Sequence, residues 1–264
     1  MYSPLRLAQK YLRYYLTAAN GKGHGIHSPF VFDFVTNVLN DRQAYPAYKP
    51  IEQLRHRLRK DNTTLQVEDR GAGSAYGPSH TRSIASIVKN AAKPPRLGQL
   101  LHRVAAHYHP ATIVELGTSL GLSTAYLAAG APRANIHTIE GVPAIAAAAG
   151  RNLDSLHLHP TILTGSFDEV LPSLLPALPP IDLAFIDGNH RHDPTLRYFE
   201  QLLRHASPSS VLIFDDIHWS AEMETAWNTI KKDPRVYLTV DLFFLGFVFR
   251  RDDFKVKQDF IIQF

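Results

Sequence analysis

The stretch ATIVELGTSLGLST, residues 111–124, decides the fold. Its first six residues are apolar or β-branched apart from Glu115, as in a buried strand. Gly117 and Gly121 punctuate the loop that follows, and LSTAYLAAG continues as a helix. In an α/β sheet built from such strand–loop–helix units, ligands sit beyond the carboxyl ends of the strands.

The same rhythm continues on the C-terminal side. Strand-like runs recur at NIHTIE (135–140), TILTG (161–165), IDLAFID (181–187) and VLIFDD (211–216), with helical stretches between them. Five strands at spacings of roughly 25 residues, separated by helices, specify a doubly wound, mostly parallel α/β sheet. The tail from Val236 is strand-rich without intervening helices and reads as antiparallel edge strands. On the N-terminal side the texture is irregular. Leu5, Leu7, Ala8, Tyr11, Leu12 and Tyr15 recur at helical spacing, Ser28-Pro29 opens a helix as cap and first turn, and Pro50 opens another. Residues 1–95 are therefore expected to form a mainly helical cap, and residues 96–264 the ligand-binding domain.

Two glycine loops compete for the ligand: residues 68–74 (EDRGAGS) and 115–121. A nucleoside site needs an acidic residue at the end of the next strand, where its carboxylate accepts from ribose hydroxyls. Glu140 stands at the end of NIHTIE, and no equivalent follows the earlier loop. The later loop takes the ligand; the earlier one reads as a tight turn or a backbone lid. The GxxxG spacing of Gly117 and Gly121 departs from the GxGxxG of dinucleotide binders, which disfavours a dehydrogenase.

Over residues 96–250 the chain resembles the class I S-adenosylmethionine-dependent methyltransferases, with a Rossmann-like fold. Its ELGTSLGLST variant is similar to the O-methyltransferase branch, which includes the catechol and the macrocin-type sugar enzymes. The resemblance implies that Gly117, Thr118, Ser119 and Gly121 face the methionine part of the cofactor. Ser123 and Thr124 open the helix beside it, and Glu115 acts from just behind the loop. It further implies that Gly165, Ser166 and Phe167 line the adenine.

Asp187 ends the fourth strand-like run, and Asp215 and Asp216 end the fifth. Adjacent strands bring three carboxylates together, which repel unless a cation or proton shares the site. Oxygen donors without sulfur favour Mg²⁺ or another hard divalent cation. Two of the three positions, Asp187 among them, match metal-binding residues of the resembled enzymes; Asp187 also borders the cofactor and the reacting atoms. At residue 190 the catechol enzymes carry a lysine base. This chain has His190, as the macrocin type does, and the resemblance implies a general base there. The alternatives are that Asp215 and Asp216 cap the next helix and that His190 only orients its loop. His192 and His218 stand near enough to act as supporting residues, and Trp219 and Trp227 read as packing.

The expected reaction is methyl transfer to an oxygen of a small-molecule or sugar acceptor, giving S-adenosylhomocysteine (SAH). Composition bounds the rivals. The chain has no cysteine among 264 residues, which removes thiol catalysis and thiolate metal sites. Its net charge of +4 raises nucleic-acid methylation as an alternative. However, the place after the fourth strand holds IDGNHRHD, not the Asn/Asp-Pro-Pro-aromatic motif of base-nitrogen methyltransferases. A non-catalytic nucleoside-binding or oligomerising module is the other alternative. No apolar run reaches membrane-spanning length and residues 1–20 lack a secretory pattern, so a cytoplasmic protein without membrane partners is expected. Edge strands near the C-terminus leave room for a homodimer.

Overall fold

The computed structural model describes residues 1–23, 27–67, 81–251 and 253–264. The earlier glycine loop, 68–74, lies outside the described residues. Helix α1 (Pro4–Thr17) begins at Ser3, whose hydroxyl accepts from the Arg6 amide at 3.3 Å. Helix α2 (Pro29–Phe34) starts at Ser28-Pro29 as expected, although Ser28 makes no side-chain cap bond, and it widens into a π-turn over Val35–Leu39. Helix α3 (Tyr48–Leu58) covers the run expected from Pro50. A short antiparallel pair follows, β1 (Thr64–Gln66) and β2 (Thr81–Ser83), then α4 (Ile84–Ala91) and α5 (Pro95–Tyr108).

Regular alternation then sets in: β3 (Thr112–Leu116), α6 (Leu122–Gly130), β4 (Asn135–Glu140), α7 (Pro143–Asp154), β5 (Thr161–Thr164), α8 (Phe167–Leu174) and β6 (Ile181–Ile186). It continues through α9 (His192–His205), β7 (Ala206–Asp215) and α10 (Ala221–Lys232) to β8 (Leu238–Asp241), β9 (Leu245–Phe249) and β10 (Gln258–Ile261). The class is α/β with mostly parallel pairing, as the alternation predicts. Strands β3–β4, β4–β5 and β6–β7 pair in parallel, and the β8–β9 hairpin runs antiparallel and continues onto β7. One strand departs from the expected antiparallel tail. Strand β10 lies parallel to β8, because the chain returns past the hairpin before pairing again.

The chain packs into two compact units, Arg42–Leu178 and Met1–Asp41 with Pro179–Phe264. The N-terminal segment is thus divided between them at Asp41. In the 42–178 unit, α5 and α6 meet closely at Gly98, where a Cβ would stand 2.4 Å from the Tyr126 ring. The Tyr126 hydroxyl donates to Glu52 Oε1 at 2.6 Å, and Arg55 Nε binds the same oxygen at 2.9 Å. In the other unit the core is aromatic, with Phe34, Phe185, Phe214, Trp227, Phe247 and Phe249 all buried. Helix α1 joins this unit through Tyr14, whose hydroxyl donates to the Ile262 carbonyl. Among the described residues no helix is long and apolar enough to cross a membrane.

Candidate active site

In the 42–178 unit, β3 is buried throughout and delivers the chain into the glycine loop. The loop reverses tightly: Gly117 has φ 103°, Ser119 φ 47° and Gly121 φ 83°. Gly121 is required twice over, by its left-handed backbone and by Leu153, whose side chain lies 3.1 Å from where a Cβ would be. The amides of Gly117 and Thr118 both donate to the Ile139 carbonyl on β4, at 3.0 and 3.2 Å.

Beneath the loop lies a fully buried polar network. The hydroxyls of Thr124 and Thr138 reach Glu115 Oε2 at 2.5 and 2.7 Å. The Thr118 and Thr138 hydroxyls are 2.6 Å apart. Thr138 spends its one proton on Glu115, so Thr118 is the donor in that bond. The network holds the loop from below, which divides the expected cofactor residues in two. Glu115, Thr118 and Thr124 are buried, whereas Gly117, Ser119 and Ser123 reach the surface. Thr138 was not expected. A threonine in the mixed polar and apolar run NIHTIE carries no local signal of the network.

Glu140 ends β4 with both oxygens engaged. Oε2 accepts from the Ser119 amide at 2.8 Å and Oε1 from the Val142 amide at 3.0 Å. Burial pushes its carboxyl above the ordinary range, and the amides of Val142, Ser119 and Gly141 pull only part of the way back. The Gly165 amide donates to the Glu140 carbonyl at 3.0 Å, so the loop after β5 is tied to the same strand end. Ser166 caps α8 by accepting from the Glu169 amide, and Phe167 begins that helix. Gly165, Ser166 and Phe167 are all half-buried.

The second cluster belongs to the other unit. Parallel pairing of β6 with β7 puts Ile186 opposite Phe214, so the next residues, Asp187 and Asp215, emerge side by side. Asn189, at φ 50°, folds the following loop back, and its amide donates to the Tyr198 hydroxyl at 3.1 Å. His190 Nε2 thereby lies 3.7 Å from Asp187 Oδ1. Ligand atoms of Asp187, His190 and Asp215 all fall within 4.8 Å of one another. Asp215 is 1% exposed. Asp216 is not part of this group. Asp216 follows the end of β7, where the backbone turns at φ 53° with its amide on the Phe244 carbonyl at 2.7 Å. The two carboxylates offer hard oxygen ligands to a divalent cation, and the imidazole beside them can serve either as a third ligand or as a proton acceptor.

His218 is held apart from that group. Nδ1 meets Glu224 at 3.0 Å and Nε2 meets Asp241 at 2.8 Å, and the ring stacks on Phe243. Burial works against its charged form, but the two carboxylates prevail and its pKa is raised. Glu224 also binds Lys10 and Tyr2 of the N-terminal segment, so His218 is part of a structural clamp. His192 pairs with the neighbouring Asp193 at 2.6 Å. Trp227 is buried, with its indole N–H on Asp241 at 3.2 Å.

A family described as "Methyltransferase domain" matches residues 114–217, a span that holds both the glycine loop and the Asp187–His190–Asp215 group. The chain is 32% identical over 127 residues to a catechol O-methyltransferase of Niastella koreensis, an alignment covering 47% of this chain and 57% of that protein. It is 28% identical over 159 residues to a catechol O-methyltransferase of Mycobacterium tuberculosis, covering 59% of this chain and 69% of that one. The chain thus spans little more than half of the first relative. Among solved structures, the SAH-bound methyltransferase PaMTH1 of Podospora anserina superposes with a TM-score of 0.59 at 17% identity, covering 86% of this chain and 97% of that one. At that identity the likeness concerns the fold.

Proposed function

We propose that the chain is an S-adenosylmethionine-dependent O-methyltransferase that acts on a hydroxyl of a small molecule or sugar. The convergence of Asp187, His190 and Asp215 at neighbouring strand ends carries this reading. Methyl transfer to oxygen needs a hydroxyl brought close to its deprotonated form, and this group can hold both a cation and a proton acceptor. The catechol O-methyltransferase relatives and the SAH-bound neighbour point the same way.

On this reading Gly117, Ser119 and Ser123 border the donor, Glu140 receives the ribose hydroxyls, and Gly165 to Phe167 line the adenine. Glu115, Thr118 and Thr124 support that surface from below. S-adenosylmethionine supplies a methyl group on a cationic sulfur. Asp187 and Asp215 would hold the divalent cation, which would lower the pKa of the acceptor hydroxyl, while Asp216 stands outside the group. His190 takes the hydroxyl proton at Nε2. That nitrogen cannot also ligate the cation, so the two roles are distinguishable. Residues 1–95 select the acceptor.

The test is SAH release from an acceptor panel of catechols, phenols and sugars, with and without chelator. Release on a hydroxyl acceptor that stops with chelator and returns with Mg²⁺ or Mn²⁺ is the expected outcome. Release indifferent to chelator would remove the cation, and no heat on titration with S-adenosylmethionine would remove the enzyme.

A further inference from the structure

Helix α1 has two apolar faces, and the fold uses one. Leu7, Tyr11 and Tyr14 turn inward; Tyr14 is buried and the Tyr11 ring meets Phe243 edge-on at 5.1 Å. Lys10 adds an ion pair to Glu224 at 2.9 Å, and the Tyr2 hydroxyl binds the same carboxylate at 2.8 Å. The helix is therefore anchored without its other side. There, Leu5 is 72% exposed, Leu12 59%, Tyr15 50% and Leu16 74%. At 100° per residue these positions share a sector about 100° wide, which is the width of a core-facing stripe.

We propose that this outer face of α1 docks the protein on an anionic lipid surface. Charge selects the occupant. The helix carries Arg6, Lys10 and Arg13 and no acidic residue. Arg6 and Arg13 are exposed along one edge of the stripe, with Arg6 lying over the Tyr2 ring at 4.4 Å. A second copy docked through the same face by two-fold symmetry would set these arginines near their own copies, with no carboxylate on the helix to pair with them. Anionic headgroups neutralise the arginines while the leucines enter the acyl boundary, as interfacial amphipathic helices do. Such a helix lies in the membrane plane and needs no spanning segment.

The placement bears on the acceptor, a consequence that rests on the O-methyltransferase reading. Phe244 packs against Tyr11 at 5.8 Å between ring centroids, and its carbonyl receives the Asp216 amide. Docking through α1 would hold the strand-end carboxylates close to the lipid, suited to a hydroxyl borne on an amphiphile.

The test is co-sedimentation of the full chain with phosphatidylcholine vesicles, with and without phosphatidylglycerol. The wild type is expected to pellet with the anionic vesicles only, and less so as salt rises. Leu12→Glu with Leu16→Glu, and separately Arg6→Gln with Arg13→Gln, should each weaken partitioning roughly tenfold. Melting temperatures close to wild type would show both variants folded. Should a variant fail to fold, Tyr15→Trp decides: its emission moves to the blue on anionic vesicles if the face inserts, and stays put if it does not. Three results would overturn the proposal: no partitioning at any phosphatidylglycerol content, partitioning indifferent to the leucine variant, or a dimer in light scattering that the leucine variant dissolves. None of these outcomes touches SAH release, so the surface and the enzymatic reading fail separately.

Discussion

The glycine loop and the Asp187–His190–Asp215 group both sit at the ends of parallel strands, yet they meet opposite electrostatic conditions. Under the loop, Glu115 is paid back for its burial by two hydroxyl donors, and a third hydroxyl completes the chain through Thr138. In the other unit, two carboxylates converge with an imidazole, and Asp215 is as buried as a core leucine. The first arrangement is stable as it stands and serves by being rigid. The second gathers like charges and, on the proposed reading, would gain most from a cation. Stability and function should therefore respond in opposite directions in the two places.

The largest effect is expected where the charges gather. Asp187→Asn with Asp215→Asn should reduce cation-dependent turnover by roughly 10²–10³-fold or more. The same variant, melted in chelator, should be no less stable than the wild type, because it relieves repulsion. A large loss of melting temperature in chelator would mean that these carboxylates serve the fold, and the contrast with the loop would vanish. His190→Ala comes next. Turnover should fall by roughly 10²–10⁴-fold, while calorimetry shows unchanged affinities for donor and cation. A matching loss of cation affinity would make His190 a ligand in place of a base.

The two regions were also unequally legible in the sequence. The loop was readable because glycine spacing, a preceding β-branched strand and an acidic end at Glu140 are local signals. Asp187 and Asp215 were readable for the same reason, as polar residues ending apolar runs. What pairing decides was harder. Asp216 falls past the end of β7 in a left-handed turn, and the turn at Asn189 brings His190 toward Asp187, so the group that forms holds the histidine and not the third carboxylate. Thr138 was missed because β-branched threonine is an ordinary strand residue, and nothing local shows that its hydroxyl meets Glu115 across the strands. The parallel course of β10 was missed because strand composition carries no direction.

Under the loop the prediction runs the other way. Thr138→Val keeps the shape but leaves Glu115 short of a donor and Thr118 short of an acceptor. It should cost about 1–3 kcal/mol in urea unfolding and weaken donor binding, whereas Thr138→Ser should restore both. If Thr138→Val lowers stability and leaves donor affinity untouched, the network supports the fold but not the loop's shape.

Glu140 gives the smallest effect, and the one that joins stability to binding at a single group. Burial holds its carboxyl above the ordinary range against the pull of three amides, so the folded chain keeps this proton more tightly than the unfolded one. Its contribution to stability is full below the unfolded pKa and is lost as pH rises through the folded pKa. Wild-type unfolding free energy should therefore fall relative to Glu140→Gln across the mildly acidic range. Donor affinity should move the opposite way, since the ionised carboxylate is the stronger acceptor for ribose hydroxyls. Urea unfolding and calorimetric titration over the same pH series test both slopes together. If stability falls while donor affinity stays flat, the buried carboxylate remains and the ribose belongs elsewhere.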